Sequence, residues 1–504
     1  MGKKDKKGNK GKGAEKTALK TDKKLLAKQK KLLEKLGEVD IAEVVAKLEA
    51  EEARLTAVTE TVCQPPSPRS SFTLVTHPEK EELVLFGGEF FNGQKVLIYN
   101  DLFIYNIVKN EWKQLHSPSG PAPRSGHQMV AVATDGGQLW LHGGEHASPS
   151  QMQFYHYKDL WVMRLKTKKW EKINAPNGPS ARSGHRMAAA KKKLIVFGGF
   201  HDNNQSYTYH NDVHMFSLET YTWLNIVVES ASMPPPRSGC CMTAYPDGKI
   251  IIWGGYSKSR VKKDVDRGKV HTDMFALIPK DNKCKWSTVK PGGYKPLPYS
   301  SVGFTTAPNG KMYCFGGVMD VDENEEDVRG QFGDDLLAFD LATQTWRLLQ
   351  IAKKTKTNKS SDVDMETSSE AETAPKAASS ISTDGIFTVT VAGPSSTPVL
   401  PKVPSLFPER VPKSLPSARM NPAMCVCKGI LYLFGGLYEE DTRQITLNDF
   451  YALDLQKLEE WKVFIPNNMA AHDWIESESD SENSNESDDD DDGESDDKSE
   501  MDTD

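Results

Sequence analysis

Short apolar runs separated by polar turns recur along this chain at an interval near 55 residues. In one copy, Arg182-Ser183-Gly184-His185 opens a run holding Met187 and three alanines. A lysine-rich turn (Lys191 to Lys193) follows, then Leu194-Ile195-Val196-Phe197, stopped by Gly198-Gly199. A polar stretch leads to Asp212 and the run Val213 to Leu218. Glu219-Thr220 then turn into Tyr221-Thr222-Trp223-Leu224. No run has helical length or period, so the pattern predicts four short antiparallel strands per copy. Six copies repeated radially predict an all-β, six-bladed propeller.

Three residue types mark every copy. Gly pairs end the second apolar run at Gly87-Gly88, Gly143-Gly144, Gly198-Gly199, Gly254-Gly255, Gly316-Gly317 and Gly435-Gly436. An Asp follows at 101, 159, 212, 273, 335 and 449, and a Trp at Trp112, Trp170, Trp223, Trp286, Trp346 and Trp461. The Asp-to-Trp distance is 11, 11, 11, 13, 11 and 12 residues. The glycines are expected to supply positive φ and close backbone approach. The Asp is expected to bond its own backbone and start the third strand. The Trp is expected to wedge its large apolar surface between neighbouring blades.

The motif resembles the kelch repeat. Its first-strand signature stands at Pro68-Arg69-Ser70, Pro123-Arg124-Ser125-Gly126-His127, Arg182-Ser183-Gly184-His185 and Pro236-Arg237-Ser238-Gly239. Copy five departs from it with Pro298-Tyr299-Ser300-Ser301, and copy six reads Ala418-Arg419-Met420-Asn421. The resemblance covers roughly residues 65–350 and 415–465. It implies a propeller fold and, for many of its members, a role as substrate receptors of ubiquitin ligases. Residues 1–60 are too short and too charged for a BTB adaptor domain, which leaves a helix near residues 40–56 as the opening for an adaptor role.

Around the blades the chain divides into a basic arm (1–36), an amphipathic helix (38–57), blades one to five (63–350), a low-complexity insertion (351–416), blade six (417–467) and an acidic tail (471–504). The helix begins at a capping box, Asp40-Ile41-Ala42-Glu43. It carries Ile41, Val44, Val45, Leu48 and Leu55 at helical spacing. Thr56 to Val62 is rich enough in β-formers to add a strand. The net charge of −7 hides an asymmetry. Residues 1–36 hold 14 Lys against four acids, and residues 471–504 hold 17 acids against one Lys. The basic arm suits contact with ribosomes, RNA or acidic lipid, or nuclear import. It has no interleaved aromatics for base stacking. The tail reads as disordered. Ser477, Ser479 and Ser487 each have an acid three residues on, which suits an acid-directed kinase.

Seven cysteines without paired spacing, no secretory signal and no 18-residue apolar run point to a chain of the cytoplasm or nucleus with reduced thiols and no membrane span. The chain is expected to act as a monomer. No metal or cofactor is expected. Cys425-Val426-Cys427 lacks a second ligand pair, and no His has an Asp four residues before it, as the iron pattern of kelch-like specifier proteins requires. No catalytic constellation stands out, so an enzyme is not expected.

Naming the strands of a blade a to d, the b–c loops and d–a linkers share one face. The b–c loops hold 12, 14, 12, 17, 17 and 12 residues, longer than an ordinary hairpin loop. The linkers carry Arg69, Arg124, Arg182, Arg237 and Arg419, and the loops carry Tyr99, Tyr157, Tyr209 and the basic set Arg260, Lys262 and Lys263. Arg and aromatic residues on a rigid scaffold are favoured at interfaces. These residues are therefore the expected contact points for a protein partner. The alternative for the repeated Arg is that it caps strands within its own blade.

Overall fold

The structure, a computed structural model, describes residues 57–203, 206–229, 232–262, 265–280, 283–322, 328–351, 416–440 and 443–467, with the isolated positions Lys24, Val45 and Lys47. The basic arm and helix, all of the insertion from 352 to 415, and the acidic tail with its three serines lie outside the described residues, those isolated positions apart.

Six sheets follow one another along the chain, each built on four antiparallel strands, with a short parallel edge pairing added in blades four and five. The first consists of Thr73–Thr76, Glu82–Phe86, Leu102–Asn106 and Glu111–His116. The third consists of Arg186–Ala190, Lys193–Phe197, Val213–Ser217 and Thr222–Leu224. The sixth consists of Ala423–Cys427, Ile430–Glu440, Arg443–Asp454 and Lys462–Ile465. Each a-strand touches the a-strands of the blades on either side, and the first touches the last, so the a-strands form the inner ring of a closed six-bladed propeller. Every blade supplies its own four strands. Thr59–Cys63 adds a fifth, antiparallel to Glu111–His116 on the outer edge of blade one.

The b-strands are buried on both faces because the blades on either side cover the two faces of each sheet. Leu83, Val84, Leu139, Leu141, Leu194, Val196 and Ile250 to Ile252 have no exposed surface. The outer tryptophan of each blade meets the aromatic residue that precedes the Gly pair of the preceding blade. The pairs are Trp170–Phe86, Trp223–His142, Trp286–Phe197, Trp346–Trp253 and Trp461–Phe315, with ring centroids 4.6–6.1 Å apart. Trp112 on Phe434, at 5.8 Å, repeats the contact between the first and last blades and seals the ring. The expected wedge is thus present six times.

Gly88 shows why the pair must be glycine. Its φ is +101°, and a Cβ would stand 2.8 Å from the Ser70 carbonyl oxygen and 2.7 Å from Phe72 Cβ. Its N–H donates to the Arg124 carbonyl of the next blade at 3.0 Å. Gly144, Gly199 and Gly317 donate in the same way to Arg182, Arg237 and Arg419 at 2.8–2.9 Å.

Candidate interaction face

The long b–c connections are folded, which their sequence did not reveal. Blades one to five carry a two-stranded hairpin there: Glu89–Phe91 with Val96–Ile98, Glu145–Ala147 with Phe154–His156, Phe200–Asp202 with Tyr207–Tyr209, Tyr256–Lys262 with Val265–Val270, and Val318–Asp322 with Val328–Phe332. In blade six the b- and c-strands themselves run on into the hairpin, with a register shift between Phe434 and Gly436. These hairpins form a crown on one face.

The repeated arginines lie beneath that crown. Arg69, Arg124, Arg182, Arg237 and Arg419 are 0–1% exposed. Each Nη1 donates to the carbonyl of the first glycine of its own blade's pair at 2.9–3.1 Å. Each Nε donates to the carbonyl two residues before it at 3.0–3.1 Å. The guanidinium also meets the repeat aspartate. Arg124–Asp159, Arg182–Asp212, Arg237–Asp273 and Arg419–Asp449 are bidentate, and Arg69–Asp101 is a single contact of 3.4 Å. The expectation that these arginines face a partner gives way: their donors are spent closing the end of their own blade. The expected role of the Asp is corrected with it, since its carboxylate serves the Arg. Burial opposes the charge of Asp159, but the Arg124 hydrogen bonds and charge outweigh it and hold the carboxyl below its ordinary range. Blade five has no such Arg. The buried Tyr299 stands in its place, and a Cβ on Gly333 would meet its ring at 2.7 Å.

Tyr99 and Tyr157 lie over the arginines, with the guanidinium carbons of Arg69 and Arg124 4.3 and 4.0 Å from their ring centroids. Tyr209 stacks on Phe200 at 5.7 Å and lies 6.4 Å from Tyr256 of the next hairpin. Neighbouring hairpins are tied together. Val96 N–H donates to the Pro149 carbonyl at 2.9 Å, Asp202 N–H to His156 Nε2 at 3.0 Å, and Tyr207 Oη–H to Asp266 at 2.7 Å. Arg260 pairs with Asp266 at 3.4 Å within its own hairpin. Lys262 ends the strand beside it, and Lys263 lies outside the described residues. Apolar side chains are exposed on the crown: Met152 is 70% exposed, Tyr155 65%, Val261 56% and Leu97 47%.

One trio resembles a nucleophilic triad. Ser183 Oγ–H donates to Glu145 Oε2 at 2.9 Å, and His156 Nδ1 lies 3.2 Å from Ser183 Oγ. The Asp202 N–H occupies His156 Nε2, so the ring proton sits on Nδ1 and faces Ser183 and Glu145. No lone pair remains to take a proton from the serine. Burial pushes His156 down to about 4 and Glu145 up to about 8, the latter with help from the Glu89 charge. His210 and His214 do not converge either; His214 Nε2 pairs with Asp212 at 2.9 Å. Among the described residues no group of three or more His, Cys, Asp or Glu side chains is placed to hold a metal ion. Among them, too, no helix is long and apolar enough to cross a membrane.

The a-strands enclose a central channel of about 920 Å³. Its charged lining residues among those described are Glu145, Arg186 and Lys191. Nothing in the repeat pattern signals this lumen's chemistry, because Arg186 follows the repeat signature without belonging to it.

Six sheets, a Trp ring and an Arg–Asp clamp define a β-propeller of repeated blades. The KLHDC2/KLHL20/DRC7 Kelch-repeats domain matches residues 37–229 and 158–365, and the chain belongs to the kelch-repeat family. The chain is 30% identical over 254 residues to Putative adagio-like protein 2 of Oryza sativa subsp. japonica, covering 47% of this chain and 36% of that protein. It is 28% identical over 259 residues to Host cell factor 1 of Homo sapiens, covering 47% of this chain and 11% of that one. N-(sulfonatooxy)prop-2-enimidothioate sulfolyase of Thlaspi arvense is 26% identical over 304 residues, covering 56% of this chain and 80% of that enzyme. The chain thus spans well under half the length of the first two relatives.

Proposed function

We propose that this chain is a non-enzymatic interaction scaffold whose partner is a protein held on the hairpin crown. The observation that carries this reading is the crown itself. Six blades raise hairpins on one face, brace neighbouring hairpins of the first four blades against one another, and leave Leu97, Met152, Tyr155 and Val261 exposed on it. Exposed aromatic and apolar side chains on a rigid support are what interface anchors require. The hydrogen-bonding of His156 supports the absence of chemistry at the crown's most enzyme-like trio. Residues 1–36 support an added, salt-sensitive contact with ribosomes or RNA. The Lys-rich start, His77 to Lys80, Tyr256 to Asp266 and the acidic tail also resemble kelch domain-containing protein 4, a likeness that bears on the fold and not on the activity.

The test is co-purification with a variant carrying Leu97→Asp and Tyr155→Ser beside one carrying Val108→Asp and Val227→Asp, at exposed sites off the crown. Partners lost only with the first pair support the reading. Partners retained by it, with folding intact, sink it.

A further inference from the structure

Arg186 is the charged side chain at a position that the repeat leaves uncharged in every other blade. It stands first in the a-strand of blade three, paired with Phe197. The matching positions of the other blades are Thr73, Gln128, Cys241, Gly303 and Ala423, none of them charged. Six equivalent blades therefore close with a charge at this position in only one.

Its path is as unusual as its identity. Nε–H donates to the Cys240 carbonyl of blade four, and the guanidinium carbon lies 5.3 Å from the Phe304 ring centroid of blade five. A side chain that leaves blade three, passes blade four and reaches blade five must lie in the lumen. The carbonyl and the ring fix the guanidinium plane there. Among the described residues no carboxylate is paired with it, in contrast to Arg124, Arg182, Arg237 and Arg419. Glu145, the acidic residue of the lining, is already bonded to Ser183. A fixed, partly buried cation without a counter-charge, in a channel the size of an ordinary ligand pocket, is half of an ion pair.

We infer that the channel of this propeller is a binding site for a small oxyanion-bearing molecule, a carboxylate or a phosphate, with Arg186 as its charged anchor and Phe304 as the wall that orients the anchor. The lumen also holds Thr73, Thr243 and Thr306, whose hydroxyls are paired with His127 and with each other, so Arg186 is the group left to meet a charged ligand. This inference is independent of what binds the crown.

Isothermal titration calorimetry of the full chain with inorganic phosphate and, separately, with succinate tests it. Saturable binding of either is expected, and which one binds tells phosphate from carboxylate. Arg186→Gln should weaken it at least about tenfold, the loss of one charge-assisted contact. Arg186→Lys should retain part, and Lys109→Gln, at an exposed site outside the channel lining, should bind as wild type. Binding of neither anion, or equal binding by wild type and R186Q, overturns the site. Should R186Q fail to fold by circular dichroism, Phe304→Leu decides: weaker binding supports the site, and unchanged affinity overturns it.

Discussion

Arg419 and Asp449 form the most deeply buried of the arginine–aspartate clamps, with neither side chain exposed and two contacts of 2.5 and 2.7 Å. Tyr451 Oη–H donates to the same carboxylate at 2.9 Å. Removing one partner of such a pair leaves the other charge stranded. Arg419→Ala is therefore expected to destabilise the protein by about 3–5 kcal/mol in urea titrations. Arg182→Ala should cost less, because the Asp212 side chain is 42% exposed and water can take over its solvation. Equal losses at the two sites would contradict the burial argument.

The tryptophan ring is similarly graded. Trp346 is buried against Trp253 and Phe339, with centroids 4.6 and 4.9 Å apart. Trp461 is only half-buried, and its partner Phe315 lies 6.1 Å away. Trp346→Ala should cost about 3–5 kcal/mol. Trp461→Ala should cost clearly less, and thermal unfolding of the two variants side by side measures the difference.

Blade number, the tryptophan contacts and the glycine turns were legible in the sequence because each recurs with a fixed spacing and a single physical cause. The hairpins were not. Strands such as Glu89–Phe91 and Phe154–His156 have three residues, too few to show a period of two. The arginines read either as partner contacts or as caps within their own blade, because a sequence shows a charge but not its burial, and the structure decides for the caps. The available signal was their recurrence together with Asp101, Asp159, Asp212, Asp273 and Asp449, and copy five obscured it by keeping Asp335 while placing Tyr299 where the Arg belongs. Arg186 carried no repeat signal, since its meaning depends on three blades that converge only in space.

Histidines at the seams between blades predict acid sensitivity. His127 and His142 are buried, and their pKa values fall to about 3, chiefly through loss of hydration and then through the nearby arginine charges. His185, whose Nε2 lies 3.2 Å from His142 Nδ1, is held well below the ordinary histidine value, first by burial and then by His142 and the nearby arginine charges. In the unfolded chain each takes a proton near pH 6.5. The folded form refuses it, so stability is full above pH 6.5 and declines as pH falls from there toward 3. Denaturation midpoints at a series of pH values should show this slope. His127→Gln, where Thr73 Oγ1 contacts the ring nitrogen at 2.9 Å, should make it shallower even if it lowers stability at pH 7.

Glu145 predicts the opposite trend. Its folded pKa of about 8 lies above the ordinary carboxyl value of 4.5, first through burial and then through the Glu89 charge. Below pH 4.5 both folded and unfolded forms are protonated and the group is neutral to stability. Between 4.5 and 8 the unfolded chain releases the proton while the fold retains it, so this residue lowers stability as pH rises through that window. Glu145→Gln keeps the shape and a hydrogen-bond acceptor for Ser183 while removing the titration. The variant should be more stable than wild type at pH 8, by an amount on the order of 4 kcal/mol. The advantage should shrink toward pH 4.5, where the two should melt together. A constant difference at every pH would mean that packing, and not the carboxyl charge, separates them.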